Sequence, residues 1–283
     1  MGASLPHLYR LVLSIAALSG WLILFGIIFI PLERLFYLRR QRVFRLGFLT
    51  DIGYYFLNGI VPGLVLSLPL AAAAWVGHRM MPPGVTATYT NWPLGLRLLT
   101  ALVVAEVGLY WGHRWCHEIP ILWRFHAVHH SPTQLDWLVN SRGHPVDFIF
   151  TRLCGLFPLY ALGLGNPIEG DPGAIPVMVM LIGPAWGFFI HANVRWRFGP
   201  LEWLIATPAF HHWHHATDSV AVLNKNFAPM WPWIDLVFGS LHLPANRQPL
   251  AYGTESAVDT NMARQLIEPF AKPPAMALPP EPL

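Results

Sequence analysis

The chain has 283 residues, of which 54% are hydrophobic and 12% charged. A soluble domain carries about 25% charged residues, so a water-exposed globule is excluded and a membrane domain, alone or with a small cap, is expected. The formal net charge is +3, but the basic residues gather beside apolar runs rather than along an aromatic-lined groove, which argues against nucleic acid as a partner.

The first apolar run, Leu11 to Ile30, is uncharged. It is long enough for one span of about 30 Å and too long for a signal-peptide core. Arg34, Arg39, Arg40, Arg42 and Arg45 follow it directly. The positive-inside rule therefore places that loop in the cytoplasm and the N-terminus outside. Ile52 to Val76 is a second uncharged run, with Pro62 and Pro69 as expected kinks. Three further runs are less regular. Leu98 to Trp111 carries Glu106, Val146 to Gly165 carries Asp147 and Arg152, and Ala174 to Ile190 is interrupted by Pro176 and Pro184.

The first two runs are full spans, and each of the other three is a span or half of a re-entrant hairpin. Either arrangement delivers His113, His191 and everything after about Asn193 to the cytoplasmic face. The expected fold is an all-α, polytopic transmembrane helical bundle of about 4–5 membrane segments. A cytoplasmic helical cap, Val194 to Pro249, would carry the histidine-rich segments. The expected organisation is residues 1–97 as N-terminal spans and loop, 98–250 as the catalytic region, and 251–283 as a partly disordered tail. That tail ends in the proline-rich KPPAMALPPEPL from Lys272. Such a protein belongs in an inner membrane if bacterial, or in the endoplasmic reticulum if eukaryotic. Cys116 and Cys154 make no CxxC pair and leave the redox compartment open.

Histidines are concentrated in three stretches. HRWCH sets His113 and His117 four residues apart, on one face of a helix. HAVHH offers His126, His129 and His130, and HHWHH repeats that spacing with His211, His214 and His215. Eight imidazoles on one side of a membrane predict a metal site, since neutral imidazole is a common ligand of zinc, iron and copper. His212 lies about 100° around the helix from His211 and is expected to support the ligands from outside. His7, His78 and His242 stand alone and are expected to take no part. His144, in RGHP, and His191, in FIHAN, sit at the ends of apolar runs and are expected to complete the coordination. Glu106 precedes His113 by two helical turns and is expected to accept the spare N–H of a ligand imidazole. Trp111, Trp115, Trp123 and Trp137 are candidates for interface anchors or for ordinary packing.

Eight to ten histidines exceed the coordination of one ion and suit two. A zinc protease motif is disfavoured, because Arg114 stands where HExxH needs its glutamate. The run HRWCHEIPILWRFHAVHHS, the later RGHP and HAN, and HHWHHATD followed by NKNF and WIDLVFGS together resemble the fatty acid hydroxylase/sterol desaturase superfamily.

The resemblance covers roughly Ala105 to Gly239. It implies iron ligation by His113, His117, His126, His129, His130, His211, His214 and His215, with His191 at a further ligand position. Four residues before His191, where hydroxylase members can carry another histidine, this chain has Gly187; His144 is the expected replacement. The implied protein is a membrane-bound non-haem di-iron oxygenase that hydroxylates or desaturates a lipid with dioxygen and external electrons. Zinc is a possible substitute for the two irons. Its partners would be a lipid substrate and a separate electron donor, either ferredoxin-like or a haem protein with its reductase. The rival readings are a zinc-dependent membrane hydrolase, a histidine-rich metal transporter and a bis-histidine haem protein.

Overall fold

Three helices have the length and apolarity to cross a membrane: α1 (Ser4–Phe36), α2 (Phe48–Met80) and α4 (Leu94–Glu118). These come from a computed structural model of the chain, which describes residues 4–165, 174–245, 247–256 and 258–271. The proline-rich tail from Lys272 lies outside the described residues. Helix α3 (Pro83–Thr90) joins α2 to α4, and α5 (Pro120–His130) follows α4 after a single residue. Then come α6 (Pro145–Ala161), the shorter apolar α7 (Ala174–His191), α8 (Pro208–His214), α9 (Pro232–Val237) and α10 (Met262–Ala271). Among the described residues there is no β-strand, only the isolated bridges Tyr37–Val194 and Ala216–Tyr252.

The run Leu98 to Trp111 thus lies inside a 25-residue helix, longer than its uncharged core suggests. Pro62 and Pro69 lie inside the continuous α2 and do not end it. The segment expected to be a helical cap is mostly loop, carrying α8, α9 and two short 3-10 turns, Gly199–Trp203 and Val220–Val222. Its six prolines, Pro200, Pro208, Pro229, Pro232, Pro244 and Pro249, limit helices to short pieces.

Helix α1 is sparsely packed and exposes Leu13, Ile23 and Ile27, as a lipid-facing helix should. It meets α2 where the Tyr55 hydroxyl donates to the Leu18 carbonyl at 2.9 Å. Helices α4 and α6 cross most closely. A Cβ on Gly108 would lie 2.1 Å from the Cys154 carbonyl oxygen, and one on Gly112 would lie 2.7 Å from the Cys154 Cβ. This small-xxx-small pair lets two backbones meet without side chains between them, and it brings the end of α4 beside the start of α6.

The arginines after α1 do not form a uniform surface patch. Arg45 is buried, donating to both Asp136 oxygens at 2.7 Å and to Asp51 at 2.6 Å. Asp51 is also held by Arg142. The network ties the loop, the first turn of α2 and the turn at 136–142 into one unit. Trp137 is buried and stacks on Phe29 at 5.8 Å, so its role is packing.

Candidate metal centre

The last two turns of α4 carry His113 and His117; Ile119 is already extended and Pro120 opens α5. Helix α5 therefore begins on the proline favoured at a first helical position and ends on His126, His129 and His130. Thr207 caps α8, its Oγ1 accepting from the Phe210 amide at 3.4 Å, and Pro208 follows as the first helical residue. That short helix presents His211, His212 and His214, with His215 as its C-cap.

The rings converge on two adjoining groups. Candidate ligand nitrogens of His113, His117, His126, His130 and His214 lie within 4.8 Å of one another, and so do those of His129, His191, His211 and His215. Each HxxHH box is split between them. His126 and His130 face the first group and His129 the second; His214 faces the first, His211 and His215 the second. The groups share a wall, with His130 stacked on His215 at 4.4 Å and His211 on His214 at 5.1 Å between ring centroids.

Hydrogen bonds on the far side of the rings fix which nitrogen points inward. Nδ1 of His113 reaches the Phe227 carbonyl at 2.7 Å, and Nδ1 of His129 the Arg142 carbonyl at 2.7 Å. Nδ1 of His191 reaches the Gly187 carbonyl, and that of His214 the Lys225 carbonyl, both at 2.8 Å. His126 Nδ1 lies 3.1 Å from both Asp147 oxygens, and His117 Nδ1 lies 3.2 Å from Asn224 Oδ1. Carbonyl and carboxylate oxygens only accept, so each of these Nδ1 atoms carries the proton and donates it.

The Nε2 atoms of these six rings are then bare, and they face one another or those of His130 and His211: His113 and His126 at 3.2 Å, His130 and His214 at 3.1 Å, His191 and His129 at 3.3 Å, His191 and His211 at 3.0 Å. Lone pairs so placed repel unless a cation lies among them. Burial pushes His129 down to about 4 and holds His130, His211, His214 and His215 well below the ordinary imidazole value, with neighbouring rings adding to the effect. At neutral pH these rings are neutral and free of competing protons. An all-nitrogen donor set of this kind suits zinc, copper or iron.

Two expectations are corrected. His144 joins neither group. Its Nδ1 accepts from the Val146 amide at 3.1 Å as the cap of α6, and its Nε2 lies 3.2 Å from the Leu266 carbonyl. Its ring packs on Phe125 and Phe270. Capping the helix that Pro145 starts outcompetes ligation.

Glu106 bonds no histidine among the described residues. It accepts from the Met230 and Trp231 amides instead, anchoring the strand of loop that carries the Phe227 carbonyl. Both amides donate to the same Oε1, so Glu106→Gln keeps an acceptor for each: metal content should stay within about twofold of wild type and stability should fall by no more than about 1 kcal/mol. Metal analysis beside thermal unfolding checks this.

Nor does Gly187 leave room for a replacement ligand: a Cβ there would lie 2.4 Å from Asn140 Oδ1. His212 stands apart from both groups, its Nδ1 3.0 Å from the Tyr252 hydroxyl.

The residue that does what Glu106 was expected to do is Asp147, buried in the first turn of α6. It also accepts from Cys116 Sγ at 3.4 Å. Its sequence signal was the same one, a carboxylate at the edge of an apolar run. Asn224 and the four carbonyls carry no signal in side-chain chemistry.

The fatty acid hydroxylase family model matches residues 98–240, half of the chain and both histidine groups. An ornithine lipid hydroxylase of Rhizobium tropici is 36% identical over 183 residues, 64% of this chain and 53% of that protein. The alkylglycerol monooxygenase of Homo sapiens is 29% identical over 161 residues, 57% of this chain and 34% of that protein. A putative Delta(7)-sterol-C5(6)-desaturase of Arabidopsis thaliana is 26% identical over 182 residues, covering 62% of this chain and 60% of that protein. The chain thus spans between a third and three fifths of these curated relatives. No solved structure matches it. With the family's region containing all nine converging histidines, the chain belongs to the fatty acid hydroxylase family.

Proposed function

We propose that the chain is a membrane-bound non-haem di-iron oxygenase acting on a lipid. The observation that carries this reading is the pair of adjoining groups of converging imidazole nitrogens, five rings in one and four in the other, seven of the nine buried. His113, His117, His126, His130 and His214 would hold one iron, and His129, His191, His211 and His215 the other. Iron bound there would supply dioxygen activation with external electrons, for hydroxylation or desaturation at a C–H bond. The relatives' printed substrates, an ornithine lipid, an alkylglycerol and a sterol, support a lipid. Region 98–250 would be the catalytic unit. The arginines after α1 support a cytoplasmic site and an external N-terminus, with a separate ferredoxin-like or haem-protein donor.

The protein's own part is positional. The far-side acceptors hold six of the nine rings, His113, His117, His126, His129, His191 and His214, in one tautomer and one orientation before metal arrives. The carbonyl of Arg142 aims His129 while its guanidinium is pinned to Asp51, so the second group is braced by the ion network under α2. Phe227 contacts His113, His117 and His214 by ring packing, keeping water from that side of the first group.

Asp147→Asn tests the positioning directly. The amide cannot accept at both of its side-chain atoms, so metal affinity at the first group should fall about 10–100-fold with the fold retained. Chelator competition measures it, and unchanged affinity would show that the contact is incidental.

The function itself is tested by anaerobic purification followed by metal analysis and an optical spectrum. About two irons per chain with no haem band, and lipid product that incorporates label from dioxygen on adding reductant, are expected. Zinc alone, with lipid cleaved in the absence of oxygen, would make it a hydrolase.

A further inference from the structure

Two cavities outside the histidine groups join into one site with a polar end and an apolar end. Helices α1 and α2 touch at Leu18: a Cβ on Gly59 would lie 2.8 Å from the Leu18 methyls. Toward Phe36 and Phe48 they part, leaving a trough of about 540 Å³ lined by Leu22, Ile27, Phe48, Ile52 and Leu138. From Leu22 to Ile30 it runs about 12 Å along α1. At its upper end lies a second cavity, of about 490 Å³, lined by Arg34, Arg39, Arg40, Arg42 and Tyr37. Ile30 and Trp137 line both, so the two spaces adjoin.

The upper cavity is positive despite two carboxylates in its wall. Glu33 accepts from the Trp137 and Asn193 amides, each at 2.8 Å. Asp136 is occupied by Arg45 and by the Leu138 and Val139 amides. The arginines keep most of their donors. Arg34 gives one N–H to the Gln41 carbonyl at 2.9 Å, and Arg40 gives one to the Tyr37 hydroxyl at 3.1 Å. Arg39 reaches the Pro249 carbonyl and lies 4.1 Å over the Tyr252 ring. A guanidinium has five N–H donors in a fork that matches phosphate oxygens.

We propose that this mouth between α1 and α2 binds one anionic phospholipid, its phosphate among the arginines and an acyl chain in the trough. Four guanidiniums suit the several oxygens of a phosphate better than the two of a carboxylate, and a trough opening onto the bilayer at the depth of α1 can be filled only by hydrocarbon. The site is independent of the metal reading.

The full chain, reconstituted in nanodiscs of phosphatidylcholine with a minority of phosphatidylglycerol, is then released into native mass spectrometry. One retained phosphatidylglycerol per chain is expected. Arg40→Gln combined with Arg42→Gln, both exposed positions, should weaken retention about tenfold. Ile27→Trp should do the same by filling the trough. Arg79→Gln, at the other end of α2, should change nothing. Three results would each overturn the proposal: retention of phosphatidylcholine or oleate as strong as that of phosphatidylglycerol, displacement of the lipid by equimolar inorganic phosphate, or a double arginine variant that retains lipid normally. Should the variants fold poorly by circular dichroism, the lipid competition on the unsubstituted chain still decides.

Discussion

His191→Ala will empty the second histidine group and abolish turnover. His191 is the hub of that group: its Nε2 lies 3.0 Å from that of His211, 3.2 Å from that of His215 and 3.3 Å from that of His129. The ring is held by the Gly187 carbonyl one turn back. The remaining three imidazoles would bind metal much more weakly, by more than the roughly 10–100-fold loss seen when only an outer partner of a ligand is removed. Metal per chain should drop by half, since the first group keeps all its rings, and lipid oxidation should become undetectable. A variant that still carries two ions would remove His191 from the proposed ligand set.

The second large effect is structural. Asp51 is fully buried and bridges Arg45 and Arg142. Asp51→Ala leaves two guanidiniums facing a hole: Arg45 keeps Asp136 and the Leu46 carbonyl, and Arg142 keeps the Gly47 carbonyl but no carboxylate. Removing one partner of a buried ion pair costs about 3–5 kcal/mol. That is a large share of the roughly 5–15 kcal/mol that keeps a domain folded. The variant should unfold at markedly lower temperature in detergent, and His129 should lose order with it, because Arg142 holds both the aspartate and the ring. Unfolding temperature and metal content measured together check this; an unchanged melting temperature would mean that water replaces the carboxylate.

The two long N-terminal spans were legible because an uncharged helix of that length has one common environment. Helix α4 was less so, since Glu106 and the boxed histidines hide its continuation past Trp111. The histidine spacings announced a metal site, and His211 rather than His212 turns toward the other rings. What spacing could not say is that one box serves two groups. An HxxHH pattern looks like a single helical face until a second cluster gives the i+3 and i+4 rings different targets.

His144 and Glu106 misled for a shared reason. A polar residue at the rim of an apolar run needs a partner, but backbone amides and carbonyls satisfy it as well as an imidazole does. Side-chain identity does not tell which, and the same ambiguity hid Asp147.

The split boxes have a geometric consequence. On an α-helix the third and fourth residues after a given one diverge by about 100°. In α5, His129 and His130 are adjacent in sequence yet belong to different groups; His214 and His215, at the end of α8, repeat the arrangement. The distance between the two groups is therefore measured out by backbone pitch, with two short helices acting as matched rulers. Side-chain rotation can tilt a ring, but it cannot stretch that ruler. A bilayer that thickens, thins or shears around α1 and α2 would change the surroundings of the centre while leaving its internal spacing as the peptide chain sets it.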